Sequence, residues 1–255
     1  MSKNKLARFA ENETFSNLFQ HTSYNIREEG FPIKGKWGSE YFHNDHPIVL
    51  ELGCGKGEYT IGLAQRYPEK NFIGVDRKGA RLWRGCKTAL EMQLPNVAFL
   101  RTAIDDIFYY FDENEVDEIW ITFPDPQPTK ERKRLMSPNF VAKYKRFLKP
   151  GAVMHLKTDS RLLYDYIREV IPQQQWQLLE DIEDVYAAAS GTVSGSESNL
   201  SSDISSSISP DPIPVLSTFP ESTFSDKTIL TEIQTFYEKH WLAGGSIISY
   251  VSWRV

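Results

Sequence analysis

Three carboxylates stand at or just beyond the ends of short apolar runs: Glu51 in PIVLELGCGKGE, Asp76 in NFIGVD and Asp125 in DEIWITFPDP. Glu51 lies two residues before the first glycine of G-x-G-x-G (Gly53, Gly55, Gly57). Glycines at such a turn let backbone approach a ligand closely. A dinucleotide fingerprint would read G-x-G-x-x-G, and an acid beside it would repel a pyrophosphate while suiting a cation. Asp76 follows Gly57 by 19 residues, the separation at which a carboxylate reaches ribose hydroxyls. A ligand with both a ribose and a positive charge is S-adenosylmethionine, which fits better than NAD. The next apolar run ends in LRTA, so Thr102 and Ala103 are the expected adenine-side contacts. The competing reading is a tight strand-to-helix turn with no ligand.

Asp125 sits between two prolines in TFPDPQPTKERKRL. Enzymes that methylate amines place an Asn or Asp, two prolines and an aromatic at this point, but here Gln127 follows PDP. A ring nitrogen with a free lone pair, such as N7 of guanine, loses no proton on methylation. It needs positioning, and its product ring is cationic, so a fixed carboxylate can stabilise the developing charge. Lys130, Arg132, Lys133 and Arg134 follow at once, and Lys143, Lys145, Arg146 and Lys149 come within 20 residues, against the one acid Glu131. The first four, abutting the turn, suit phosphate contact. For the later four a solvated helix face competes equally.

These residues need a frame that brings strand ends together. PIVLEL, KNFIGVD, NVAFLRT, DEIWITF and AVMHLKTD read as buried strands. Between them lie helical patterns after Gly57, over 79–93, a short one at IDDIFYYF, 137–151 and 160–171, the fourth with a Ser-Pro start. Strands alternating with helices predict βαβ units and a mostly parallel sheet, with ligands outside the carboxyl ends of the strands. Residues 1–47 read as an extension that wraps or gates something. Residues 48–255 read as one domain, interrupted at about 188–226 by a serine-rich flexible loop too polar to offset its ordering entropy. ILTEIQTFYEKHWLAGG then predicts a helix, and SIISYVSWRV a strand that returns to the same sheet.

Composition narrows the function classes. The 255 residues are 40% hydrophobic and 25% charged, so the chain is globular. Net charge is −5, so a nucleic-acid partner must be held by a local basic face. No apolar run approaches the roughly 20 residues of a membrane helix, and the N-terminus lacks an h-region. Cys54 and Cys86 match no metal or disulfide spacing, which suits reduced thiols in a cytoplasmic protein. His43, His46 and His155 form no metal set; His155, in an apolar run, reads as structural, and Trp120 and Trp253 as core.

ELGCGKGE, NFIGVD, TFPDP with its basic run and SPNF, FLKPG, HLKTD and TFYE together resemble the bacterial tRNA (guanine-N7-)-methyltransferase family, over roughly 48–170 and 228–255. The resemblance implies an α/β, Rossmann-like class I methyltransferase fold with a seven-stranded sheet and helices on both faces. It implies S-adenosylmethionine as cofactor, and methylation of N7 of the guanine at position 46 in the tRNA variable loop. It places Glu51, Asp76 and the Thr102/Ala103 turn at the cofactor, and Asp125 between cofactor and guanine. It places Asp159 and the Thr235, Tyr237 and Glu238 of T-x-Y-E at the substrate. Asp159 or Glu238 could accept hydrogen bonds from guanine N1–H and the 2-amino group, which adenine does not offer. Lys130 is the nearest counterpart of the family's substrate lysine. Two other readings stay open: a class I methyltransferase acting on another RNA site, and a non-catalytic RNA-binding protein of this fold.

Overall fold

The computed structural model describes residues 3–21, 23–191 and 226–255. Helix α1 (Lys3–Asn12), strand β1 (Leu18–Gln20), helix α2 (Ser23–Glu29) and a π-helical turn (Trp37–Phe42) lead into β2 (Ile48–Leu52). Then come α3 (Glu58–Arg66), β3 (Asn71–Asp76), α4 (Gly79–Glu91), β4 (Val97–Arg101), a 3-10 turn (Ile104–Tyr109) and β5 (Val116–Thr122). A second 3-10 turn (Glu131–Lys133), α5 (Pro138–Tyr144), β6 (Leu148–Thr158), α6 (Arg161–Gln173), β7 (Gln177–Ile182) and α7 (Val185–Ala189) follow. The last elements are α8 (Ile229–Glu232), α9 (Phe236–Ala243) and β8 (Ser249–Arg254).

The strands form one sheet in the order β1-β4-β3-β2-β5-β6-β8-β7. All neighbours are parallel except β8, which runs antiparallel to both β6 and β7. Every residue of β2 and β3 is buried, as expected of central parallel strands covered on both faces. One face packs Leu50, Ile73, Ile121 and Met154 against Phe140 and Tyr144 of α5 and Leu163 and Ile167 of α6. The other packs Val49, Phe72, Phe99 and Trp120 against Ile61 and Leu63 of α3 and Leu82 and Cys86 of α4. Chain order reverses at β2, between β3 and β5, which opens a cleft at their carboxyl ends.

The sheet has eight strands where seven were expected. The eighth, β1, comes from the N-terminal stretch and pairs with the edge strand β4. Three residues, Leu-Phe-Gln, carry no readable period; pairing with an otherwise open edge makes the strand. The same stretch sends Trp37 into the core, where it is fully buried, stacks on Phe111 at 5.6 Å and donates from Nε1 to the Tyr110 carbonyl at 3.0 Å. α1 lies on α4: Trp83 Nε1 donates to Glu11 Oε2 (2.6 Å) and Asn12 Nδ2 to the Gly79 carbonyl (3.0 Å).

Two helix boundaries also differ from expectation. The helix expected over 137–151 stops at Tyr144, and β6 already begins at Leu148. The single helix expected from Ile229 breaks at Ile233, because Thr235 starts α9 with a capping box: its hydroxyl accepts from Glu238 N while Glu238 Oε2 accepts from Thr235 N. Strand β7 has no counterpart among the strands read from sequence; its mixed exposure masks any period. Of the serine-rich insertion, residues 192–225 lie outside the described residues.

Candidate active site

The cleft has a narrow inner recess of about 80 Å³, lined by Glu51, Gly53, Gly55, Thr122, Thr235 and Tyr237. An outer part of about 430 Å³ is lined by Asp76, Thr102, Ala103, Asp125, Lys130 and Lys133. Gly53, Arg81 and Phe123 line both. Residues read from four separate strand ends thus meet in one place.

Glu51 is buried at 3% exposure. Its Oε1 accepts from Thr122 Oγ1 at 2.6 Å, and Oε2 from Thr60 N at 2.8 Å and from the Thr60 hydroxyl. Burial pushes its carboxyl up to about 7, against the pull of those hydrogen bonds. A buried acid with no ion-pair partner among the described residues, beside an open glycine turn, is the environment a cationic ligand would complete. Gly53 and Gly55 have positive φ (78° and 59°), and no atom lies within 4 Å of where a Cβ would stand. Gly57 serves packing instead: a Cβ there would lie 2.5 Å from the Phe99 ring. Asp76 is fixed by Gly55 N (3.0 Å to Oδ2) and Lys78 N (2.7 Å to Oδ1), which leaves lone pairs for ribose hydroxyls. Thr102, buried, and Ala103 line the outer part beyond it. This set fits the ribose, the adenine edge and the positive charge of S-adenosylmethionine.

The PDP turn hangs from the end of β5. Phe123 and Gln127, at φ 47° and 46°, bracket it in the left-handed region, where residues other than glycine are uncommon. Phe123 N donates to the Lys157 carbonyl at 2.9 Å, and Gln127 N to Asp125 Oδ1 at 3.2 Å. Asp125 is otherwise exposed and faces the outer cleft. Lys130, Arg132 and Lys133 are exposed beside it. Arg134 turns inward: at 7% exposure it stacks over Tyr166 at 4.3 Å and donates from Nε to the Pro126 carbonyl at 3.3 Å. It clamps the turn from below. Of the later cations, Lys143 pairs with Asp105, Lys149 with Asp117, and Arg146 lies over Phe108.

Glu238 is fully buried and its carboxylate is occupied. It pairs with the equally buried Lys157 at 2.6 Å, accepts from Tyr186 Oη at 2.8 Å and holds the Thr235 amide. Burial lowers the Lys157 ammonium, and Glu238 opposes this. Glu238 thereby positions Thr235 and Tyr237 at the recess. Asp159, half-buried just past β6, lies outside the lining of both parts of the cleft.

Thr60, Thr122, Arg81 and Lys157 escaped the sequence reading. Thr60, in the first turn of α3, and Thr122, the last residue of β5, gave a weak signal; Lys157, one position before the end of a buried strand, gave a stronger one. His155 is buried in a separate network, stacked on Trp120 at 4.1 Å, with Nδ1 2.8 Å from Tyr250 Oη and Nε2 3.1 Å from Glu118 Oε1. Among the described residues no cluster of three or more His, Cys, Asp or Glu could hold a metal ion, and no helix is long and apolar enough to cross a membrane.

Residues 45–194 match the family described as "Putative methyltransferase". A tRNA (guanine-N(7)-)-methyltransferase of Christiangramia forsetii is 44% identical, covering 100% of this chain and 99% of its own length. The enzyme of that name from Bacteroides thetaiotaomicron is 41% identical, over 100% of this chain and 87% of its own. Among solved structures, the 16S rRNA methyltransferase KamB superposes with a TM-score of 0.57 at 12% identity, covering 89% of this chain and 95% of that one; this is a likeness of fold. With relatives of one name matching the whole chain at 41% and 44% identity, the chain belongs to the tRNA (guanine-N7-)-methyltransferase family.

Proposed function

We propose that this chain transfers a methyl group from S-adenosylmethionine to N7 of a guanine in tRNA, at position 46 of the variable loop, in the cleft between the glycine turn and the PDP turn. The observation that carries this is the meeting of Glu51, Asp76 and Asp125 at one cleft with a basic run on its rim. Bound there, S-adenosylmethionine supplies an electrophilic methyl on a sulfonium. Glu51 would face that molecule's positive charge, Asp76 its ribose, and Thr102 and Ala103 its adenine edge. Gly53 and Gly55 leave the room that a Cβ would take.

N7 of guanine carries a free lone pair and loses no proton on methylation, so the cleft would have to supply positioning and no base. The purine gains a positive charge, and the Asp125 carboxylate, held by its turn, stabilises it as it develops. Lys130, Arg132 and Lys133 would hold RNA phosphates. Thr235 and Tyr237 would contact the guanine from the opposite lip, on a segment pinned by Glu238. Asp159, close by in sequence to the buried Lys157, would act on the substrate side from the end of β6. The location proposed is the cytoplasm; Cys54 and Cys86 are buried and form no disulfide.

The test is incubation with labelled S-adenosylmethionine and unmodified tRNA, followed by nucleoside analysis. 7-Methylguanosine in tRNA is the expected product. Label found only in another RNA, or no transfer at all, would favour one of the other two readings.

A further inference from the structure

Helix α9 exposes what an amphipathic helix ordinarily hides. Its inward residues are Glu238, held by an ion pair, and the half-buried Leu242. Its outward residues are aromatic: Phe236 is 57% exposed, Tyr237 46% and Trp241 38%, with His240 exposed between them. Among the described residues these are the only exposed large aromatics. Single exposed apolar side chains are ordinary, but a contiguous set at a cleft marks a binding surface. The rings adjoin in two pairs, Phe236 edge-on to Tyr237 with centroids 5.7 Å apart and His240 beside Trp241 at 5.4 Å.

The band continues out of the cleft. Tyr237 lines the inner recess with Glu51 and Gly55. Phe236 is tied to the same rim: its amide donates to Glu58 Oε2 at 2.9 Å, and Lys56 of the glycine turn lies 4.3 Å over its ring. Lys56 and the exposed Lys239 supply positive charge around the rings. The PDP side of the cleft offers Gln127 where an aromatic would stack.

We propose that Phe236 and Trp241 each offer a stacking face to an unpaired RNA base near the methylated guanine, with Lys56 beside Phe236 for a nucleotide phosphate. This rests on the proposed function and extends it to a residue-level account of how single-stranded RNA is held. Flat rings beside cations are how proteins grip unpaired bases without reading their edges, and Phe236, beside Tyr237 of the recess, is the first ring a strand leaving the cleft would meet.

The test compares Phe236→Leu, Trp241→Leu and the double variant with the native chain. Both substitutions keep apolar bulk and remove the π face. The measurements are KM and kcat on unmodified tRNA, affinity for a short single-stranded oligoribonucleotide containing guanine, and affinity for S-adenosylmethionine. RNA affinity should fall about tenfold per ring, in line with roughly 1–3 kcal/mol per stacked base. The loss should appear mainly in KM for tRNA, and Phe236→Trp should restore it. Native RNA affinity and KM in the double variant, with 7-methylguanosine still made by the native chain, would overturn the subsite and leave the proposed function standing. A native chain that makes no 7-methylguanosine in tRNA would instead remove the reading on which the subsite rests. A native dimer that dissociates in the double variant without loss of RNA affinity would assign the band to contact between copies, and also overturn the proposal.

Discussion

Glu51 shows how much a single carboxylate can be asked to do. Burial, with a smaller push from the Glu58 charge, holds its carboxyl up to about 7 although both oxygens accept hydrogen bonds. A cation binding there prefers the ionised form, so cofactor affinity should rise as pH increases through about 7 and level off above it. Glu51→Gln should flatten that profile and weaken binding by roughly 1.5–3 kcal/mol, the range for hydrogen bonds to charged groups. Calorimetry between pH 6 and 8 decides; a native profile with no slope would remove Glu51 from the charge contact. The stability sign runs the other way from most carboxylates. The folded pKa lies above the unfolded one, so this group's contribution is present at low pH and is lost as pH rises through the folded value. Asp125, by contrast, is exposed, and the role proposed for it falls late, as charge develops on the purine. Asp125→Ala should lower kcat roughly 10²–10³-fold while cofactor affinity holds, and a native rate would transfer the charge-stabilising role elsewhere. Glu51, Asp76 and Asp125 were legible in sequence because they end apolar runs, and a strand end has a fixed place in a parallel sheet. Arg134 and Glu238 were not: whether a charged side chain points outward or is buried depends on a partner, Tyr166 or Lys157, that sequence spacing does not supply.

Among the elements, α9 is held in an unusual way. Most helices bury an apolar stripe, whereas this one is pinned by Lys157 and Glu238, both fully buried and 2.6 Å apart. Such a pair adds little net stability over an apolar substitute, but removing one partner strands the other charge at a cost of about 3–5 kcal/mol. With so little apolar contact behind it, α9 should detach before the sheet unfolds. Lys157→Met is therefore expected to speed amide hydrogen exchange across α9 while β2 and β3 keep their protection, and to raise KM for tRNA more than it changes cofactor affinity. Unchanged exchange in α9 would show that the helix is anchored by something other than this pair. The capping box at Thr235 explains why one long helix was the natural reading of ILTEIQTFYEKHW: the helical propensity is continuous, and only the reciprocal bonds between Thr235 and Glu238 restart the helix.

At the scale of the molecule, the mostly parallel sheet and the place of its cleft followed from alternation and the end-of-strand rule, while the N-terminal strand, Trp37 and the α1–α4 contact depended on surfaces that exist only once the sheet has formed. Charge is distributed with the same dependence on folding. The chain is net −5, yet Lys130, Arg132 and Lys133 stand together on the cleft rim with no acid partner in an ion pair among the described residues, whereas Lys143 and Lys149 are paired with Asp105 and Asp117. An acidic body with a small basic rim should repel RNA broadly and admit it at one place. Each phosphate neutralised releases counterions, so log affinity should fall with log salt by roughly 0.7–0.9 per contact. Reversing Lys130, Arg132 and Lys133 to glutamate should therefore weaken tRNA binding and flatten the salt slope by about 2 units, while the same change at Lys143 and Lys149 should move the slope far less. Arg134 is left out of this set, because its loss would release the PDP turn rather than a phosphate. Filter binding of tRNA from 50 to 300 mM salt separates the two groups. Equal slopes in native and rim-reversed protein would mean that the rim does not touch the RNA backbone, and that the phosphates are held by another face.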